Sequence, residues 1–112
     1  VVLKFLLLPK TILIMANFNI NTEKLELAAN KLRAISHPMR IAIIDLLSAD
    51  TKLSVTEIHK ALKIEQATAS HHLNILKNKG ILVSTRDGKN IYYSLKHVTL
   101  KDIVECINKC NE

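Results

Sequence analysis

Tryptophan is absent from this 112-residue chain, and two Phe and two Tyr are its only aromatics. A core built on large rings is therefore excluded. With 48% of residues apolar, the interior must be assembled from Leu, Ile, Val and Ala, which suits packed helices. Cysteine is scarce: Cys106 and Cys110 lie four residues apart near the end. That spacing is too local for a disulfide-stapled secreted scaffold, so the thiols read as reduced and the chain as cytoplasmic. No apolar run reaches the roughly 20 residues that a membrane span requires. The opening VVLKFLLLPKTILI comes nearest, but it is short and contains Pro9. It also lacks the basic start and small-residue cleavage site of a secretory signal. Residues 1–14 are expected to be an apolar extension upstream of a natural start at Met15, with residues 15–112 forming one domain. No HExxH, nucleophile elbow, phosphate loop or paired acid is present, which argues against an enzyme.

The net charge is +6, and its distribution carries more information than its sum. Residues 1–50 hold six Lys/Arg against four acids, residues 51–97 eight against three, and residues 98–112 two against three. The middle segment thus carries +5 of the +6. A concentrated basic surplus suits a polyanion, although a solvated basic face would look the same from charge alone.

Apolar spacing marks the elements. Leu25, Leu27, Ala28, Leu32 and Ile35 follow a helical period and predict a helix over 22–34. Pro38 fits the first position of a second helix, 38–48, backed by Met39, Ile43, Leu46 and Leu47. Ser54 and Glu57 form a capping-box signature opening a short third helix with Val55, Ile58 and Leu62. After a tight turn at 63–65, a fourth helix runs over 66–79 with Ala69, Leu73 and Leu76 inward and Gly80 as its stop. Two helices joined in this way make a helix-turn-helix. The segment ILVSTRDGKNIYYSL then changes to strand patterning around Asp87-Gly88, predicting a two-stranded wing in which Ile81 and Val83 alternate with polar residues. A last helix over 98–110 carries Leu100, Ile103, Val104 and Ile107 on one stripe, with both cysteines at its margin.

A helix fits the major groove of duplex DNA, and a helix-turn-helix projects one for that purpose. The first turns of the fourth helix, QATASHH, are small and polar away from the inward side. Gln66, Thr68, Ser70 and His71 can donate or accept hydrogen bonds there. A polar first turn also serves capping, but the wing that follows favours DNA. Arg86 and Lys89 flank the hairpin tip, where cations suit phosphate or the minor groove, while Asp87 serves the turn.

The strings ISHPMRIAIIDLLS and LSVTEIHKALKIEQATASHHLNILKNKGILVSTRDGKNIYYSL resemble the ArsR/SmtB family of metalloregulatory repressors. The resemblance covers about residues 25–110 and is most specific at HPMR 37–40, SHHL 70–73 and the RDGKNIYYSL hairpin. It implies a mainly α (α+β) winged helix-turn-helix of about five helices, dimeric through its first and last helices. It further implies a sequence-specific repressor that binds a partly palindromic double-stranded operator and is released by an inducer. Gln66, Ser70 and His71 fall on the family's base-contacting positions. Ala67 replaces a residue often Ser there, so that contact is not carried over. His72 packs or caps on this reading, and Arg40 suits a structural or a phosphate-anchoring role equally. RNA is not an expected partner. A winged helix devoted to protein contact is the alternative, since fold does not fix function.

By the same resemblance, metal sites sit on the third helix or between the last helices. VTEIHKAL holds no Cys, and its His59 reads as a surface residue. The inter-subunit site would map to His97, Thr99, Cys110 and a position past Glu112, which leaves only His97 and Cys110 as weak candidates. No cofactor is required, and the inducer would be a metal, a metalloid or a thiol oxidant. Cys106 and Cys110 lie one turn apart and would either pack as small apolar residues or act together as a thiol sensor.

Overall fold

Asn21 opens the first helix, α1 (Thr22–Ile35), its side-chain oxygen accepting from the Glu23 amide at 2.9 Å. The computed structural model describes residues 21–47 and 50–111. The expectations for residues 1–14 and Met15 lie outside the described residues. Ser36 closes α1, its amide donating to the Leu32 and Arg33 carbonyls. His37 caps the next helix, α2 (Pro38–Leu46), through Nδ1, which accepts from the Met39 amide at 3.1 Å. Proline at the first position costs no hydrogen bond, because that amide would have no helical partner.

Strand β1 (Leu53–Ser54) leads directly into α3 (Val55–Leu62). The capping box forms in full: Ser54 Oγ accepts from the Glu57 amide and Glu57 Oε1 accepts from the Ser54 amide, both at 3.1 Å. The tight turn is made by Lys63 in the left-handed region, φ 54°, with the Ile64 amide donating to the His59 carbonyl. His59 is therefore more than a surface residue, since its Nδ1 lies 3.2 Å from the Ile64 carbonyl and braces the same turn. Helix α4 (Gln66–Asn78) follows and stops at Gly80, whose φ of 74° favours a residue without Cβ.

The wing has strands β2 (Leu82–Asp87) and β3 (Asn90–Leu95), paired antiparallel from Leu82↔Leu95 to Asp87↔Asn90. Two sequence expectations need correction. The sheet has three strands in the order β1-β3-β2, because Leu53 and Ser54 pair with Tyr93 and Tyr92. The phase of the first strand is also opposite: Leu82 is buried and Val83 exposed, since pairing starts at Leu82 and side chains alternate from there. Gly88 and Lys89 form the two-residue loop, with positive φ at Gly88, the first central position. Helix α5 (Leu100–Cys110) ends the fold.

Ile43, Ile44, Leu47, Ile58, Leu73, Leu76, Ile81 and Leu82 are almost wholly removed from solvent and make one aliphatic core, which Ala34, Ile35 and Val104 extend. Helices α1 and α5 give this core little of their predicted stripes. Leu25, Leu27 and Leu32 on α1 and Ile103 and Ile107 on α5 are exposed in the single chain. Among the described residues no helix is long and apolar enough to cross a membrane.

Replacing Ser54 with Ala should lower stability by about 1 kcal/mol, because the Glu57 amide loses its acceptor. Leu73→Ala, which opens a cavity at a fully buried site, should cost about 2–5 kcal/mol. Urea unfolding midpoints check both, and a Ser54→Ala midpoint equal to that of the parent chain would remove the cap from the account.

Candidate nucleic-acid interface

Helix α4 divides sharply into two sides. Ala69, Leu73 and Leu76 are fully buried and His72 nearly so, while Gln66, Ala67, Thr68, His71 and Asn74 are exposed and Ser70 is half-buried. At about 100° per residue, Gln66, Ser70 and Asn74 form one row along the helix. That row faces the wing across an open cleft of 370 Å³ lined by Thr56, Lys89, Asn90 and Tyr93 among others. Burial raises the Tyr93 phenol above its ordinary 10.0, so this lining residue is uncharged. Thr68 and His71 are also exposed, but they lie outside the cleft, on the part of the face turned away from the wing. The sequence-predicted DNA residues of α4 thus share one exposed helix face, and two of the four meet the wing.

The two wing cations part company. Lys89 reaches the α4 cleft, whereas Arg86 lines a separate depression with Lys52, Thr85, Asp87 and Tyr92. Asn74, Thr56, Asn90 and Lys52 were not singled out from the sequence. Asn74 was legible as the next step of the Gln66–Ser70 spacing. Lys52 comes beside Arg86 only because β1 pairs with β3, and a two-residue strand leaves no periodic signal.

Arg40 resolves in favour of structure. Its guanidinium donates through Nε to His72 Nδ1 at 3.3 Å and through a terminal nitrogen to the Ala34 carbonyl at 2.9 Å. The His37 ring lies 4.5 Å from that of His72, centroid to centroid, and the exposed His71 ring lies at 5.5 Å. One cation therefore ties the end of α1, the body of α2 and the buried side of α4 together, directly behind the exposed face of the helix.

Cys106 and Cys110 are free and exposed in the single chain, at the margin of the α5 stripe. They share a shallow depression with Asp102, Glu105 and Lys109. Among the described residues no group of three or more His, Cys, Asp or Glu stands ready for a metal ion. His97 precedes α5 and Cys110 ends it, so the length of the helix, a rise of about 15 Å, lies between these two weak candidates within one chain.

Comparison with known proteins agrees with this architecture. A family model described as a helix-turn-helix domain matches residues 35–85. A cadmium resistance transcriptional regulatory protein CadC homolog from Staphylococcus aureus is 39% identical over 77 residues, which is 69% of this chain and 64% of that relative, just under two thirds of its length. The transcriptional repressor PagR of Bacillus anthracis is 37% identical over 84 residues, 75% of this chain and 84% of that protein. Its crystal structure superposes with a TM-score of 0.69 at 34% identity, covering 78% of this chain and 99% of that one. The homodimeric winged helix-turn-helix DNA-binding domain of a possible ArsR-family transcriptional regulator from Mycobacterium bovis gives a TM-score of 0.70 at 26% identity, covering 80% and 82% of the two chains. With the helix-turn-helix, the wing and the polar α4 face already in place, the chain belongs to the ArsR/SmtB family of winged helix-turn-helix, DNA-binding transcriptional regulators and is not an enzyme.

Proposed function

We propose that this protein is a homodimeric, sequence-specific repressor acting in the cytoplasm, which reads a double-stranded operator with α4 and is released by an inducer acting on its thiols. The observation that carries the reading is the polar cleft in which Gln66 and Ser70 face Lys89 and Asn90. Base edges require donors and acceptors on a helix slim enough to enter the major groove, and small residues such as Ala67 and Ser70 permit close approach. Thr68 and His71 extend the same exposed face. Phosphates on either side would be met by Lys89 and by Arg86 with Lys52, which fits the +5 charge of residues 51–97.

Dimerisation rests on the unpartnered stripes. Leu25, Leu27 and Leu32 with Ile103 and Ile107 are too many exposed aliphatics for a small domain that buries only a modest share of its surface, and a second copy would cover them. The homodimeric Mycobacterium bovis domain supports the same assembly. The exposed pair Cys106 and Cys110 sits beside that stripe, where a thiophilic metal, a metalloid or an oxidant could change how two copies meet.

DNA binding, oligomeric state and induced release each check the proposal. Replacing Ser70 and His71 with Ala should abolish discrimination between a duplex selected from a random pool and an unselected one, while dimerisation persists. In the parent protein, affinity for DNA should fall steeply with salt as counterions are released. A salt-independent affinity would favour a protein-binding winged helix instead. Second, Ile103→Lys combined with Ile107→Lys should yield monomers in sedimentation runs in which the parent chain sediments as a dimer, and a monomeric parent chain would end the dimer reading. Third, a variant with Ser at both 106 and 110 should lose release of the selected duplex by arsenite, cadmium or peroxide. Release equal to that of the parent would take the thiols out of the mechanism.

A further inference from the structure

We infer that His72 is a positioning residue for DNA reading: its unprotonated Nδ1 anchors α4 to Arg40, and the helix loses that anchor when the ring takes up a proton. The inference rests on the assignment of α4 as the DNA-reading helix.

The geometry is specific about protonation. Arg40 can only donate, so the 3.3 Å contact from its Nε requires a lone pair on His72 Nδ1 and places the ring hydrogen on Nε2. A proton on Nδ1 would remove the acceptor and set an imidazolium against a guanidinium in a buried place. The groups that face His72 are His37 and Arg40 from α2 and His71 from its own helix, while α1 supplies the Ala34 carbonyl that holds the far end of Arg40. None of these is an acid that could receive the new charge. Burial first, and then His37, Arg40 and His71, hold the ring below its ordinary value of 6.5. The sign follows: the anchored arrangement is complete above 6.5 and is lost as pH falls through the lower folded-state value.

The consequence falls on discrimination rather than on folding. Ala69, Leu73 and Leu76 keep α4 in the core, so the protein remains folded. Arg40 is the polar tie that joins the α1–α2 corner to this helix, and its loss frees the angle at which Ser70 and His71 meet a groove. Base readout depends on that angle, whereas phosphate attraction depends on it far less.

The test uses the full chain and a duplex enriched from a random pool. The ratio of its affinity to that of an unselected duplex is measured at constant salt from about pH 7.5 down to the lowest pH at which circular dichroism shows the fold intact. The ratio should fall roughly tenfold in the parent protein. It should fall clearly less in His72→Asn, whose side-chain oxygen occupies nearly the place of Nδ1 and accepts without titrating. The exposed His71 is present in both proteins, so the difference between them isolates position 72. Nitrogen-correlated NMR at about pH 7.5 should find the ring proton of His72 on Nε2. A pH-independent ratio in the parent, an equal fall in the Asn variant, or a proton on Nδ1 would each overturn the inference. If no duplex is enriched at all, the DNA-reading assignment fails and the inference falls with it.

Discussion

Everything in this molecule depends on burying one side of α4 completely while leaving the other side bare. Ala69, Leu73 and Leu76 lock the helix into an aliphatic core with no measurable exposure, and that packing holds the opposite face in a fixed orientation. A helix held only by its ends could not present side chains at the tolerance that base edges require. The elements around it serve the same constraint. The Lys63 turn sets the angle between α3 and α4, the capping box starts α3 at a defined residue, and Gly80 releases the chain so that Ile81 and Leu82 can close the core from below. The wing then returns beside α4 and places Lys89 at the edge of the cleft.

The outer helices follow a different logic. Most apolar side chains of α1 and α5 remain outside the core of one chain, so their amphipathic patterns are not spent on its interior. This explains how a chain can show a clear helical period at Leu25 and Leu32 while only Ala34 and Ile35 reach the core. It also explains the cysteines. On a stripe that one chain cannot bury, small apolar residues are exposed however well their spacing matches a packed helix.

Element identity was legible wherever the sequence carried its own punctuation. Pro38, the Ser54–Glu57 pair and Gly80 each mark a boundary that falls where local backbone chemistry requires. The Asp87-Gly88 step marks the hairpin, but its loop lies one residue on, at Gly88 and Lys89, with Asp87 paired to Asn90 in the strands. The failures came where the deciding contact is distant in sequence. Strand β1 exists because Leu53 and Ser54 meet Tyr93 and Tyr92, some forty residues on, and two residues cannot show a period. The inward phase of β2 was misread because Ile81, Leu82 and Val83 are all apolar, leaving only pairing with Leu95 to choose between them. The separation of Arg86 from Lys89 is likewise a product of hairpin register, invisible in a string that places both beside a turn.

The pair His71-His72 condenses these points. Two identical side chains, adjacent in sequence, are turned about 100° apart by the helix and meet opposite environments. His71 lies in solvent, and His72 is buried against His37 and accepts from Arg40. Their chemistry diverges accordingly. The exposed ring is free to donate or accept, while the buried one is confined to a single tautomer by a donor that cannot become an acceptor. A sequence reading can place both on one helix, but the division of labour between them is settled only when Arg40, thirty-two residues earlier in the chain, is brought alongside.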